Sequence, residues 1–184
     1  MQRSNAGLFW PALIAVTAAD QATKWLAKNN LSQIRGPSDV FGKWTWLRWT
    51  LVRNPGAAFG LQVPGSQGAS RWVFMALTVL ALGILARLYS NTREGDWPRT
   101  LALALVCGGA IGNLVDRVMS SSGVVDFIDV GYGSARWPTF NLADSAVCVG
   151  ACLLAWVLWD EERDSVPVVA PTPSTLTGEP RDLG

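Results

Sequence analysis

The chain has 184 residues, a net charge of +1, 49% apolar residues, ten tryptophans and no histidine. The missing histidine excludes Ser-His-Asp and Cys-His nucleophile systems and histidine-bound zinc, and the three cysteines have no CxxC spacing for a thiolate metal site. A charge this close to zero leaves no electrostatic footprint for nucleic acid, so any acid–base chemistry falls to the 14 Asp and Glu, to Lys or Tyr, or to water.

The apolar residues gather in four blocks, at about 8–26, 72–90, 100–119 and 139–159. Their uncharged runs are Leu8–Ala19, Trp72–Ala86, Thr100–Val115 and Ser145–Trp159. Each reaches the ~20 residues of a spanning helix once a few polar residues at one end are included. Stretches such as LALALVCGGAIG and VCVGACLLAWVLW lack the polar stripe of a soluble core helix. Four membrane-spanning helices are therefore expected. Trp25, Trp72, Trp97, Trp137 and Trp159 fall at or just outside block ends, where an amphipathic indole prefers to lie in a bilayer.

In chain order, block one follows Arg3 and has small residues at Thr17–Ala19, as a cleaved signal peptide does. Its helical pattern runs on through Asp20 to Trp25, which argues for a retained span, and Asp20 and Lys24 are i,i+4 and can pair. Residues 27–71 are a long connector in which Lys43–Arg53 alternates and reads as a strand, with a turn at Pro64–Gly68. Residues 91–98 form a short polar link. Block three holds a Gly108/Gly112 pair suited to close helix approach and ends in Asn113, Asp116 and Arg117. Residues 120–138 are a second connector, and block four opens with Asn141 and Asp144. Cys107, Cys148 and Cys152 lie inside spans and read as packing residues. The tail, 160–184, starts acidic, carries four prolines, and is expected to be disordered.

Four spans place both termini on one side. Asp20, Lys24, Asn113, Asp116, Arg117, Asn141 and Asp144 then collect at the opposite face, by segment order alone. A carboxylate one or two turns below the surface is costly to bury and marks function, and Asp144 has no cation within four positions. Asp20/Lys24 and Asp116/Arg117 fit structural ion pairs equally well. Basic residues fall on both sides of the membrane (Arg3, Arg93, Arg99 and Arg163 on one; Lys28, Arg48, Arg71 and Arg136 among those on the other), so charge leaves the orientation open.

Without histidine, hydrolysis needs a carboxylate-held metal or two carboxylates that share a proton and activate water. The candidates are Asp20, Asp116, Asp126, Asp129 and Asp144. An apolar-flanked Asp in Val124–Val130 is a good partner for Asp144, and spacing does not choose between Asp126 and Asp129. Carboxylates in spans also suit a proton-coupled transporter, although here they avoid the span centres.

Five segments resemble those of the lipoprotein signal peptidases (signal peptidase II). They are Asp20–Lys24, Asn54–Gly60, Gly108–Arg117, Val124–Asp129 and Phe140–Ser145, in family order, with the resemblance covering about residues 8–159. The resemblance implies an aspartic endopeptidase of the bacterial inner membrane. It has four transmembrane helices, cytoplasmic termini, and a small extracytoplasmic β-cradle in the loop between spans one and two. It implies Asp126 and Asp144 as the catalytic pair. Asn54, Gly56, Phe59, Asn113, Arg117 and Asn141 fall at substrate-binding positions, and Asp20, Lys24 and Asp116 at structural polar ones. The implied substrate is a prolipoprotein signal peptide cut immediately before a diacylglyceryl-modified Cys. The enzyme is expected to work as a monomer in contact with membrane lipid, without metal or cofactor and without nucleic acid. The domain extends over 1–159, including the 27–71 loop, and the 160–184 tail lies outside the resemblance.

Overall fold

The computed structural model describes residues 4–31, 46–55 and 67–165. Gly56, Phe59 and the tail from 166 onward lie outside these residues, as does most of the turn expected at 64–68. The elements are α1 (Ala6–Leu31), β1 (Leu47–Asn54), α2 (Gln67–Ser90), α3 (Trp97–Met119), β2 (Val124–Tyr132), β3 (Ala135–Arg136) and α4 (Leu142–Ser165).

Each apolar block becomes a helix. Three of them, α2, α3 and α4, are long and apolar enough to cross a membrane. The helix α1 is also long, but its second half carries Asp20, Gln21, Lys24 and Lys28, so the fourth expected span does not stand on length and composition. Asp20 and Lys24 are buried, turned toward the protein. The opposite pattern holds in α2, where Trp72, Leu77, Leu80 and Ile84 are each more than half exposed. On a water-facing helix such a patch would drive association; in a bilayer it is the favourable arrangement.

The central helix is α3, packed on α1, α2 and α4. It starts where Asp96 accepts a hydrogen bond from the Arg99 N–H at 3.1 Å, with Pro98 in the first turn. Close approach is set by small residues. A Cβ on Gly112 would lie 2.6 Å from the Asp20 carboxylate, so only glycine lets α1 bring that acid against α3. One cluster, Phe9, Leu13, Leu103, Ala104 and Cys107, fills the end of the helices near the termini. A second, Ala27, Leu31, Val125 and Phe127 with Trp49, seats the sheet on the end of α1.

The sheet is antiparallel, in the order β1-β2-β3. It takes one strand from the 27–71 connector and two from the 120–138 connector, where the sequence alone suggests a loop. The β structure is therefore not confined to the loop after α1. The reason is that Leu47–Asn54 cannot form a sheet alone, and Val124–Val130 supplies its partner from far along the chain. The register runs from Leu47↔Val130 to Asn54↔Val124, with an irregularity between Trp49 and Val52.

Gly123 makes the turn into β2. Its φ is +89°, and a Cβ there would collide with the Asn54 carbonyl oxygen. Gly123→Ala is thus expected to lower stability by about 1–3 kcal/mol, read as earlier thermal unfolding in detergent. The acidic start of the tail also differs from expectation. Residues 160–165 continue α4, where Glu161 pairs with Arg99 at 3.0 Å, so the helix extends beyond 159.

Candidate active site

The site is assembled on the first turn of α4. Asn141 precedes the helix, and its Oδ1 accepts the Asp144 N–H at 2.9 Å. Asp144 Oδ2 in return accepts the Asn141 N–H at 3.2 Å. This reciprocal cap fixes the Asp144 carboxylate against its own backbone. Asp20, from α1, accepts the next free helix donor, the Ala143 N–H, at 2.9 Å.

Asp126 comes from β2, where both faces of the strand are buried. Asn54, at the end of β1, donates to Asp126 Oδ2 at 3.1 Å. The Asn141 side-chain amide donates to Asp126 Oδ1 at 2.7 Å and to Asn113 Oδ1 at 3.2 Å. The Asn113 amide nitrogen in turn donates to Asp144 Oδ1 at 2.7 Å. Asn141 therefore holds both carboxylates, one through its side chain and one through its backbone. The two acids, in different elements, are brought together by neutral amides.

Beneath them lies an ion cluster. Lys24 Nζ is 2.8 Å from Asp20 Oδ2 and 2.9 Å from Asp116 Oδ2, and donates to Asn113 Oδ1 at 2.9 Å. Asp116 Oδ2 also accepts the Val125 N–H at 3.2 Å. Arg117 bonds the Asn113 carbonyl at 3.3 Å and lies over the Phe74 ring at 5.5 Å, near enough to Asp144 and Asp126 to feel both charges.

Geometry separates the two carboxylates of β2. Asp126 and Asp129 are an odd number of residues apart on one strand and point to opposite faces. Asp126 meets the Asn141–Asp144 cap; Asp129 is engaged by Arg136 at 2.9 Å. The expected Asp20/Lys24 pair forms. Asp116 turns to Lys24 rather than to the adjacent Arg117. Arg71, counted only as a loop charge, ties down the end of α3 by donating to the Arg117 carbonyl at 2.6 Å and the Val118 carbonyl at 3.0 Å. The available signal is a cation just before the second apolar block, but nothing in sequence says that it reaches a helix end 46 residues away.

Burial, followed by the charge of Asp144, pushes the Asp126 carboxyl up to about 6, against the hydrogen bonds from Asn54 and Asn141 that lower it. The folded chain thus holds this proton more tightly than the unfolded one. The stability Asp126 contributes is complete below its ordinary value of 3.8 and is lost as pH rises through about 6. Asp126→Asn, which has no charge to bury, is expected to gain on the wild type by roughly 2–3 kcal/mol between about pH 4 and pH 7. Unfolding midpoints of both proteins across that range check this.

A buried acid whose proton affinity is raised, tied through shared amides to a second carboxylate at one end of apolar helices long enough to cross a membrane, marks a candidate acid–base site. A family model described as "Signal peptidase (SPase) II" matches residues 12–159, and the chain belongs to this family of proteases. It is 44% identical over 144 residues to the lipoprotein signal peptidase of Polynucleobacter necessarius subsp. necessarius (strain STIR1), covering 78% of this chain and 83% of the relative. It is 41% identical over 165 residues to the lipoprotein signal peptidase of Xanthomonas campestris pv. campestris (strain 8004), covering 88% and 96%. Among solved structures it is similar to a bacterial membrane enzyme determined by the in meso method at 2.3 Å. The TM-score is 0.76 at 26% identity, over 93% of this chain and 99% of that one.

Proposed function

We propose that this signal peptidase is an aspartic endopeptidase that cuts prolipoproteins immediately before a diacylglyceryl-modified Cys, using water activated by Asp126 and Asp144. The observation that carries this reading is Asn141, whose amide and backbone N–H hold one oxygen of each carboxylate at 2.7 and 3.2 Å. Asp126, with its raised affinity for protons, carries the proton the pair shares. Asp144 takes a proton from water as that water attacks the scissile carbonyl, and Asp126 gives its proton to the carbonyl oxygen. When the tetrahedral intermediate collapses, the proton on Asp144 passes to the leaving amine of the Cys residue, and the proton on the intermediate's oxygen returns to Asp126. Asn54, Asn113 and Asn141 hold the acids in place. Arg117, beside them, offers donors to the substrate backbone, and Gly56 and Phe59 of the first connector are proposed as substrate-binding residues.

In this reading α1 crosses the bilayer with the other helices, because its polar side chains are buried within the protein rather than turned to lipid. The chain then has four spans, with termini on the cytoplasmic side of the inner membrane and the acids near the other face. The enzyme works as a monomer, since one chain supplies both acids and all three amides. Membership of a protease family leaves the transporter reading without support.

Lipid dependence tests the substrate. Acyl chains keep the Cys at the interface, adding about 0.8 kcal/mol per buried CH₂. A diacylglyceryl prolipoprotein presented with purified enzyme in detergent should be cleaved with kcat/KM at least ~100-fold above that of the unmodified polypeptide, a difference of about 2.7 kcal/mol. Equal rates would rule the lipid out as a recognition element.

A further inference from the structure

Lys24 is fully buried, and its bonds among the described residues go to Asp20, Asp116 and Asn113, not to Asp126 or Asp144. An ammonium has three donors and no acceptor. All three are used, one on each partner. The Asn113 amide must therefore turn its oxygen toward Lys24, which sends its NH₂ the other way, onto Asp144 Oδ1 at 2.7 Å. An inverted amide would set NH₂ against the ammonium and C=O against the Asp144 carboxylate, two repulsive contacts in a buried site. The same Asn113 oxygen accepts from the Asn141 amide, which is thereby aimed at Asp126.

Two further routes leave Lys24. Asp116 Oδ2, held by the ammonium, accepts the N–H of Val125, the neighbour of Asp126. Asp20, held by the same ammonium, accepts the N–H of Ala143, the neighbour of Asp144. One cation on α1 thus governs the donors and backbone on both sides of the pair. Resting on the dyad reading above, we infer that Lys24 is a positioning residue for the cleavage reaction. It orients the Asn113 amide and, through Asp116 and Asp20, holds β2 and the start of α4 in the register that brings Asp126 and Asp144 together.

The competing role is plain compensation of two buried acids. The two are separated by a charge-balanced variant. Lys24→Met with Asp116→Asn has the net charge of the wild type but no ammonium to orient Asn113. The comparison is with Asp116→Asn alone, measuring kcat, KM and the unfolding midpoint. Loss of orientation predicts a folded protein, KM within about threefold, and kcat lower by roughly 100-fold, the scale of a 1 Å misplacement. In an Asn113→Ala, Asp116→Asn background, where neither that amide nor the Asp116 carboxylate is left to orient, adding Lys24→Met should cost at most about a tenth of that factor. A balanced variant with the kcat of Asp116→Asn overturns the inference, because charge balance then suffices. Failure of the balanced variant to fold overturns it too, because the lysine is then structural. Wild type and Asp126→Asn run alongside: an inactive wild type or an active Asp126→Asn protein would instead defeat the dyad itself.

Discussion

Asp126→Asn and Asp144→Asn, made separately, are each expected to lower kcat for prolipoprotein cleavage by about 1,000-fold or more with the fold retained. Proton transfer by a positioned side chain contributes about 10²–10⁴-fold, and here each acid serves in both the attack and the collapse. An amide keeps the shape of the carboxylate but can neither take the proton from water nor return one to the leaving amine. The structural consequences should differ in sign. Asp126 sits in a buried strand that disfavours its charge, so its neutral replacement should unfold no earlier than wild type at neutral pH. Asp144 accepts from Asn113 and from the Asn141 backbone; an amide can keep one oxygen for these donors, so about 1 kcal/mol of stability is lost. Activity and unfolding midpoint measured on the same preparations separate these effects.

Asn141 should rank next. Asn141→Ala removes the donor to Asp126 and the acceptor that caps Asp144 together. The cap is worth about 1 kcal/mol, and the Asp126 oxygen left without its donor costs about 1–3 kcal/mol more. The rate should fall about 100-fold, because neither carboxyl is then held in its productive place. Asn141→Ser divides the two roles. Serine is a good helix cap but too short to reach Asp126, so stability should largely return while the rate does not. A serine variant that recovers both would show that capping alone accounts for Asn141.

The contrast between what was legible and what was not follows the range of the interactions. Helices declare themselves locally: the four apolar blocks became α1 to α4, and the i,i+3 pair Asn141/Asp144 at the head of block four is the cap itself. The collection of polar residues at one end followed from segment order, which needs no distances. Long-range pairing did not show. Val124–Val130 reads as an apolar loop because its strand character depends on Leu47–Asn54, a partner far away in the chain. Asp126 could not be told from Asp129 by the residues alone. Only the strand pleat turns one to Asn141 and the other to Arg136. Lys24 was visible as the i,i+4 partner of Asp20, but its grip on Asp116 and Asn113 depends on how closely α1 approaches α3, and Gly112 permits that approach. The helix ends were the least exact, as α4 runs to Ser165 because Arg99 of α3 meets Glu161.

The central claim is that Asp126 and Asp144 together cleave one bond next to a lipidated cysteine. The intact masses of products from a diacylglyceryl prolipoprotein, incubated with purified enzyme in detergent containing a chelator, test it most directly. A single cut is expected, with the mature chain beginning at the lipid-modified Cys, unaffected by the chelator and absent in both Asp126→Asn and Asp144→Asn. A cut at another position, a product that persists in either variant, or activity lost to the chelator would contradict it.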